Sequence, residues 1–158
     1  MPVIKPALHH VTFKTTRLAE MMAWYGTALG GTINFKDDHN GWMTNDQANH
    51  RFAFLSVPRL EDDPDKVKHN AMHHCAFEYE SFSDLMSSYA RMRDEGIVPA
   101  FSLDHGITTS LYYMEPDGNF VELTRRDPQH RLADFRQHGA LSSPMSSTQP
   151  ATLNAGAW

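Results

Sequence analysis

The sequence predicts an α+β fold: two βαβββ modules forming a curved mixed sheet. Three observations carry that prediction. Two short apolar segments, Leu8-His9-His10-Val11-Thr12-Phe13 and Met72-His73-His74-Cys75-Ala76-Phe77, read alike as strands carrying a histidine pair. Apolar residues at helical spacing follow each of them. Three further strand signals, separated by turn residues, follow each helix signal.

In the first module Thr16 is the expected helix N-cap. Leu18, Met21, Met22, Trp24, Tyr25 and Leu29 form the apolar stripe, and Gly30-Gly31 stop the helix. Strands are expected at 31–35, 41–43 and 51–57, with Asp37-Asp38-His39-Asn40 as a turn. Residues 58–70 are polar and proline-containing and read as a linker.

The second helix is expected to start near Ser83, with Asp84 suiting the helix dipole. Leu85, Met86, Tyr89 and Met92 recur, and Gly96 stops it. Strands follow at 97–103, 108–114 and 119–124, with Pro116-Asp117-Gly118-Asn119 as a turn. Residues 1–127 thus form one domain, with modules at about 7–57 and 71–127. Residues 128–158 read as a C-terminal extension: a short helix at 131–137, then a Ser-, Ala-, Gly- and Pro-rich tail at 139–158 expected to be disordered.

Composition narrows the class. A chain of 158 residues, 41% hydrophobic and 21% charged, can bury a core. No apolar run approaches the ~20 residues of a membrane span. The N-terminal MPVIKPALHH lacks the apolar core of a signal peptide, and the lone Cys75 fits a reducing cytosol. A formal net charge of −5 disfavours nucleic acid as a partner. Most of the ten histidines lie beside apolar strand signals.

The repeat points to a metal. Aligning Phe13 with Phe77 aligns His10 with His74, and the last strands align with Phe54 where Glu122 stands. Pseudo-twofold pairing of the modules would gather these four positions around one cavity. Two imidazoles and a carboxylate make a facial set that favours Fe(II) and leaves open positions for substrate and O2. Glu122 is flanked by apolar residues, where a carboxylate is costly unless paired or bound to metal. His9 and His73 are expected on the opposite faces of their strands. A one-residue slip in register would make them the ligands instead.

On these residues the chain resembles the vicinal oxygen chelate superfamily of glyoxalases, bleomycin-resistance proteins and dioxygenases. The resemblance spans about residues 7–127 and is closest to type I extradiol dioxygenases in a two-module form. Their C-terminal signature is matched by His105, Leu111, Tyr112, Glu115, Pro116, Gly118 and Glu122, with Leu103 as a departure. The resemblance implies Fe(II), or Mn(II), at His10, His74 and Glu122. It implies an acid–base role for His50, and for His105 a hydrogen bond to bound substrate or oxygen. Tyr112 would contact a catecholic hydroxyl, and Trp42 and Phe54 would line the substrate pocket. An aromatic diol and O2 are then the partners, in a cytoplasmic homo-oligomer that binds neither membrane nor nucleic acid.

The implied reaction is ring cleavage of a catechol-like aromatic, biaryls included. A glyoxalase-like isomerase or thiol transferase is the alternative, and bound Zn or Ni without Fe would favour it. A metal-free binding protein of the drug-sequestering kind is a third reading, and an inability to take up iron would favour that.

Overall fold

The computed structural model describes residues 4–126. The first module runs β1 (Val11–Lys14), α1 (Leu18–Leu29), β2 (Thr32–Lys36), β3 (Asn40–Thr44) and β4 (Phe52–Leu55). The second runs β5 (His74–Glu78), α2 (Phe82–Asp94), β6 (Phe101–Asp104), β7 (Thr108–Met114) and β8 (Phe120–Arg126). A short 3-10 helix, Lys66–Lys68, lies in the linker. The expected helix and tail within 128–158 lie outside the described residues.

The α+β architecture is as predicted. Its hydrogen bonds divide into two four-stranded mixed sheets, ordered β1-β4-β3-β2 and β5-β8-β7-β6. In each, the first and last strands of the module run parallel and the other pairs antiparallel.

The helix starts differ from expectation by a residue or two. Arg17, not Thr16, occupies the N-cap of α1. Thr15 Oγ1 accepts from the Arg17 amide at 2.8 Å, while the Thr16 hydroxyl donates to Asp62 at 2.7 Å. Helix α2 is capped by Ser81, whose Oγ accepts from the Asp84 amide at 3.1 Å. Gly30 and Gly96 stop the helices as predicted, both at positive φ, 65° and 79°, where a side chain is strained. Strand β6 begins only at Phe101, after Pro99.

One core serves both modules. Phe13, Met21, Met22, Tyr25, Phe52 and Phe54 pack in a single cluster with Leu85, Met92, Leu111, Tyr113, Val121 and Leu123. The rings of Phe52 and Phe77 meet across the module boundary, with centroids 5.5 Å apart. Polar contacts reinforce that seam. Arg91 donates to the carbonyls of Thr27 and Ala28, placing a cation at the negative end of α1. Arg17 pairs with Asp62 and, at 3.0 Å, with Asp117 of the β7–β8 turn. The carboxylates beside it hold the Arg17 guanidinium above its ordinary pKa. Gly41 lies under α1, where an added Cβ would run into the Met22 side chain.

Candidate active site

Cross-strand register makes a matching row on each sheet. On the second, Ala76 pairs with Glu122, Glu122 with Tyr112, and Tyr112 with Phe101. On the first, Thr12 pairs with Ala53, Ala53 with Trp42, and Trp42 with Phe35. The two rows correspond pairing by pairing, so Ala53 stands at the place of Glu122. The expected match of Phe54 to Glu122 is therefore off by one. Phe54 faces the core, fully buried, with its ring stacked on Phe13 at 5.7 Å and against Tyr25 at 5.1 Å. It does not line a substrate pocket. Strand alternation explains this, because a one-residue slip moves a side chain to the other face.

The second sheet gathers four of the sequence-predicted site residues. His74 Nε2 lies 2.9 Å from Glu122 Oε2. The other carboxylate oxygen accepts from the Ser110 hydroxyl at 2.5 Å. Glu122 is only 8% exposed, so both oxygens of a buried carboxylate are satisfied. Tyr112 stands beside it. Burial and the Glu122 carboxylate push the Tyr112 phenol up to about 12, keeping its proton in place. Its hydroxyl lies 3.2 Å from His105 Nε2, its ring stacks on Phe101 at 4.5 Å, and His74 approaches edge-on at 5.4 Å. His105 is set by the β6–β7 turn, where its amide donates to Thr108 and Asp104 accepts from the Gly106 amide.

The first sheet gathers the others. His10 packs against His50 with centroids 4.6 Å apart, and His50 stacks on Trp42 at 5.5 Å. Trp42 is 38% exposed and packs on Phe35 at 4.8 Å. Burial first, then the neighbouring His10 and His9, lower the His50 pKa and favour the neutral ring.

His9 was expected to point away from His10. Instead the two Nδ1 atoms lie 2.9 Å apart, and those of His73 and His74 lie 2.8 Å apart. Alternation separates neighbours only within a strand, and His9, His10 and His73 all precede theirs. Among the described residues, the one group of three such donors with ligand atoms mutually within 4.8 Å is His9, His10 and His50. The proposed ligands are thus split, with His74 and Glu122 paired on one module and His10 beside His50 on the other.

Sequence reasoning missed Ser110 and Phe101. Ser110 is two residues before Tyr112 on β7, so alternation alone puts both on one face.

A doubled βαβββ chain with a half-buried histidine against a buried carboxylate defines a class. The chain belongs to the glyoxalase/bleomycin resistance protein/dioxygenase superfamily, whose profile matches residues 7–123. It is 37% identical over 118 residues to biphenyl-2,3-diol 1,2-dioxygenase 2 of Rhodococcus globerulus, covering 75% of this chain and 62% of that protein. It is also 37% identical over 123 residues to biphenyl-2,3-diol 1,2-dioxygenase 3 of the same organism, covering 76% and 63%. The chain therefore spans less than two thirds of the length of these relatives.

Solved structures share the fold. A glyoxalase/bleomycin resistance protein/dioxygenase from Nocardioides superposes with a TM-score of 0.64 at 19% identity, covering 83% of this chain and 90% of that one. A genomically encoded fosfomycin resistance protein from Listeria monocytogenes gives 0.60 at 16%, covering 82% and 100%.

Proposed function

We propose that this chain is an extradiol dioxygenase that opens the ring of a catechol-like aromatic, biaryl catechols included, with O2. Fe(II), or Mn(II) as the alternative, is its metal, with His10, His74 and Glu122 as ligands. The observation that carries this reading is the His74–Glu122 pair walled by Tyr112 and His105. The donor chemistry suits such an ion: a buried carboxylate at 2.9 Å from an imidazole nitrogen, with no fourth donor at Ala53. The 37% identity to two biphenyl-2,3-diol 1,2-dioxygenases supports it from the side of sequence.

When bound, the metal would supply Lewis-acid activation of the diol hydroxyls and a site for O2. The chain's own residues do the rest. Ser110 holds the Glu122 carboxylate in orientation through its 2.5 Å hydrogen bond. Tyr112 keeps its proton at neutral pH and so donates a hydrogen bond to a catecholic oxygen. His105 Nε2, 3.2 Å from that hydroxyl, positions it. His50, held neutral, is the proton acceptor for a catechol hydroxyl and returns the proton later. The exposed faces of Trp42 and Phe35 suit an aromatic ring.

Ala53 also counts against the glyoxalase-like alternative, which calls for a fourth ligand from the first module. Self-association is proposed as well. It is supported by Ile33, Phe35, Phe101 and Leu103, which are exposed on the edge strands β2 and β6. No helix is long and apolar enough to cross a membrane among the described residues, and the proposed location is the cytosol. The test is anaerobic Fe(II) loading followed by O2 uptake with 2,3-dihydroxybiphenyl. A yellow ring-fission product is expected, and Glu122→Ala should lose both iron and turnover. Full iron and full activity in that variant would sink the reading.

A further inference from the structure

His9, His10 and His50 meet where β1 begins beside β4. One nitrogen from each lies within 4.8 Å of the other two. Their ring centroids are 5.1, 5.3 and 4.6 Å apart.

The junction is tied on both sides. The Val11 amide donates to the Arg51 carbonyl at 3.0 Å, and Arg51 Nη1 donates to the His9 carbonyl at 2.8 Å. Asp46 pairs with Arg51 Nε at 2.9 Å and offsets its charge. His50 Nδ1 lies 2.9 Å from Asn49 Oδ1, a contact that orients the ring and leaves Nε2 for a ligand bond. Trp42 stacks on that ring at an interplanar angle of 26°. His9 has no part in the reaction proposed above, yet it is held against the two histidines that do.

Three imidazole nitrogens without a carboxylate make a donor set different in kind from that of His74 and Glu122. Imidazole suits Zn(II), Cu(II) and Ni(II). Zinc–nitrogen bonds of about 2.0–2.1 Å in a tetrahedron set the nitrogens about 3.3 Å apart. In the observed group the nitrogens lie within 4.8 Å of one another, and exposed His9 and His10 have room to close the difference by rotamer changes.

We propose that His9, His10 and His50 form a second metal site, for a borderline divalent cation such as Zn(II), that shares His10 with the catalytic set. The consequence for turnover rests on the function proposed above: zinc held here withdraws His10 and His50 from the reaction and inhibits. The binding itself does not rest on that reading.

The test uses the full chain and Zn(II) in equilibrium dialysis, with Co(II) as a spectroscopic stand-in. Glu122→Ala removes the carboxylate of the other pair. That variant is expected to retain one Zn(II) per chain and, with Co(II), the visible bands of a tetrahedral nitrogen-rich site. Adding either His9→Ala or His50→Ala should weaken zinc by ~10-fold or more and bleach those bands. His9 is exposed and outside the strands, so circular dichroism should be unchanged. Equal zinc affinity with and without His9 in the Glu122→Ala background overturns the proposal. Iron retention and turnover in Glu122→Ala alone judge the dioxygenase reading, so the two failures are distinguishable.

Discussion

Ala53 and Glu122 occupy the same place in the two sheets, each between the first and third strands of its module and opposite an aromatic ring. One module offers a carboxylate there and the other a methyl group. Ala53→Glu should therefore add a fourth donor from the first module. Ala53 is 5% exposed, so the new carboxylate costs stability unless a metal takes it up. The expected outcome is tighter retention of divalent metal together with slower O2 uptake, because an open coordination position is lost. Metal analysis and an oxygen electrode would check it; faster uptake would contradict it.

Ser110 is the residue whose loss should separate metal positioning from metal ligation. Its hydroxyl donates to Glu122 at 2.5 Å and is fully buried. Ser110→Ala leaves one oxygen of a buried carboxylate short of a partner, at a cost of about 1.5–3 kcal/mol. Iron affinity should fall on the order of 10- to 100-fold while the donor set stays intact. Ser110→Thr, which keeps the hydroxyl, should recover most of the affinity. An unchanged iron dissociation constant in Ser110→Ala would show that Glu122 needs no such support.

His50 and Tyr112 should fail differently. Neutral His50 is the proposed proton acceptor, and its loss as His50→Phe should lower kcat on the order of 10²- to 10⁴-fold with iron retained. Tyr112→Phe removes a donor that keeps its proton throughout the neutral range. It should weaken diol binding or slow the reaction without altering the pH dependence near neutrality. Rate profiles of the two variants against pH, with iron content measured alongside, distinguish the roles.

Part of the candidate site is legible in the sequence, and Phe54 differs by a one-residue slip. Glu122 stands out because a lone carboxylate inside Phe120-Val121-Glu122-Leu123 has to be satisfied somehow. His74 follows from the repeat. Phe52-Ala53-Phe54 offers no such polar marker, so matching on aromatic residues slipped it by one, and alternation turned the slip into the wrong face. The histidine pairs differ for another reason: period-two alternation does not extend to His9, His10 and His73, which precede their strands. Ser110 is readable from alternation along β7, whereas Phe101 is visible only with cross-strand register, which one strand's sequence does not contain.

Helix α1 sits close on the first sheet because Gly41 has no side chain. A Cβ there would collide with Met22, which is 2% exposed and cannot simply swing into solvent. Gly41→Ala should cost about 1–3 kcal/mol by overpacking. Met22→Ala should cost about 2–5 kcal/mol by leaving a cavity. The double variant should cost clearly less than the sum, because the methyl group enters space that Met22 vacated. Denaturant midpoints for the four proteins test this; strict additivity would mean that α1 shifts away instead.

Tyr25 and Tyr113 are fully buried, and among the described residues neither hydroxyl has a hydrogen-bond partner. Burial pushes both phenols well above their ordinary pKa, with a further rise at Tyr25 from the Glu115 carboxylate and at Tyr113 from Tyr79. The folded chain therefore keeps two protons that the unfolded chain releases near pH 10. Where the folded state binds more protons, stability falls as pH rises. The contribution is complete below about pH 10 and is lost progressively above it. Tyr113→Phe and Tyr25→Phe each remove one such group and should flatten the alkaline decline. At neutral pH each also removes a polar atom buried without a partner, so the change should be neutral or stabilising by about 1–2 kcal/mol. Urea unfolding at neutral and at alkaline pH measures both effects. If either variant lost more than about 1 kcal/mol at neutral pH, its hydroxyl would have to be making a stabilising hydrogen bond in solution.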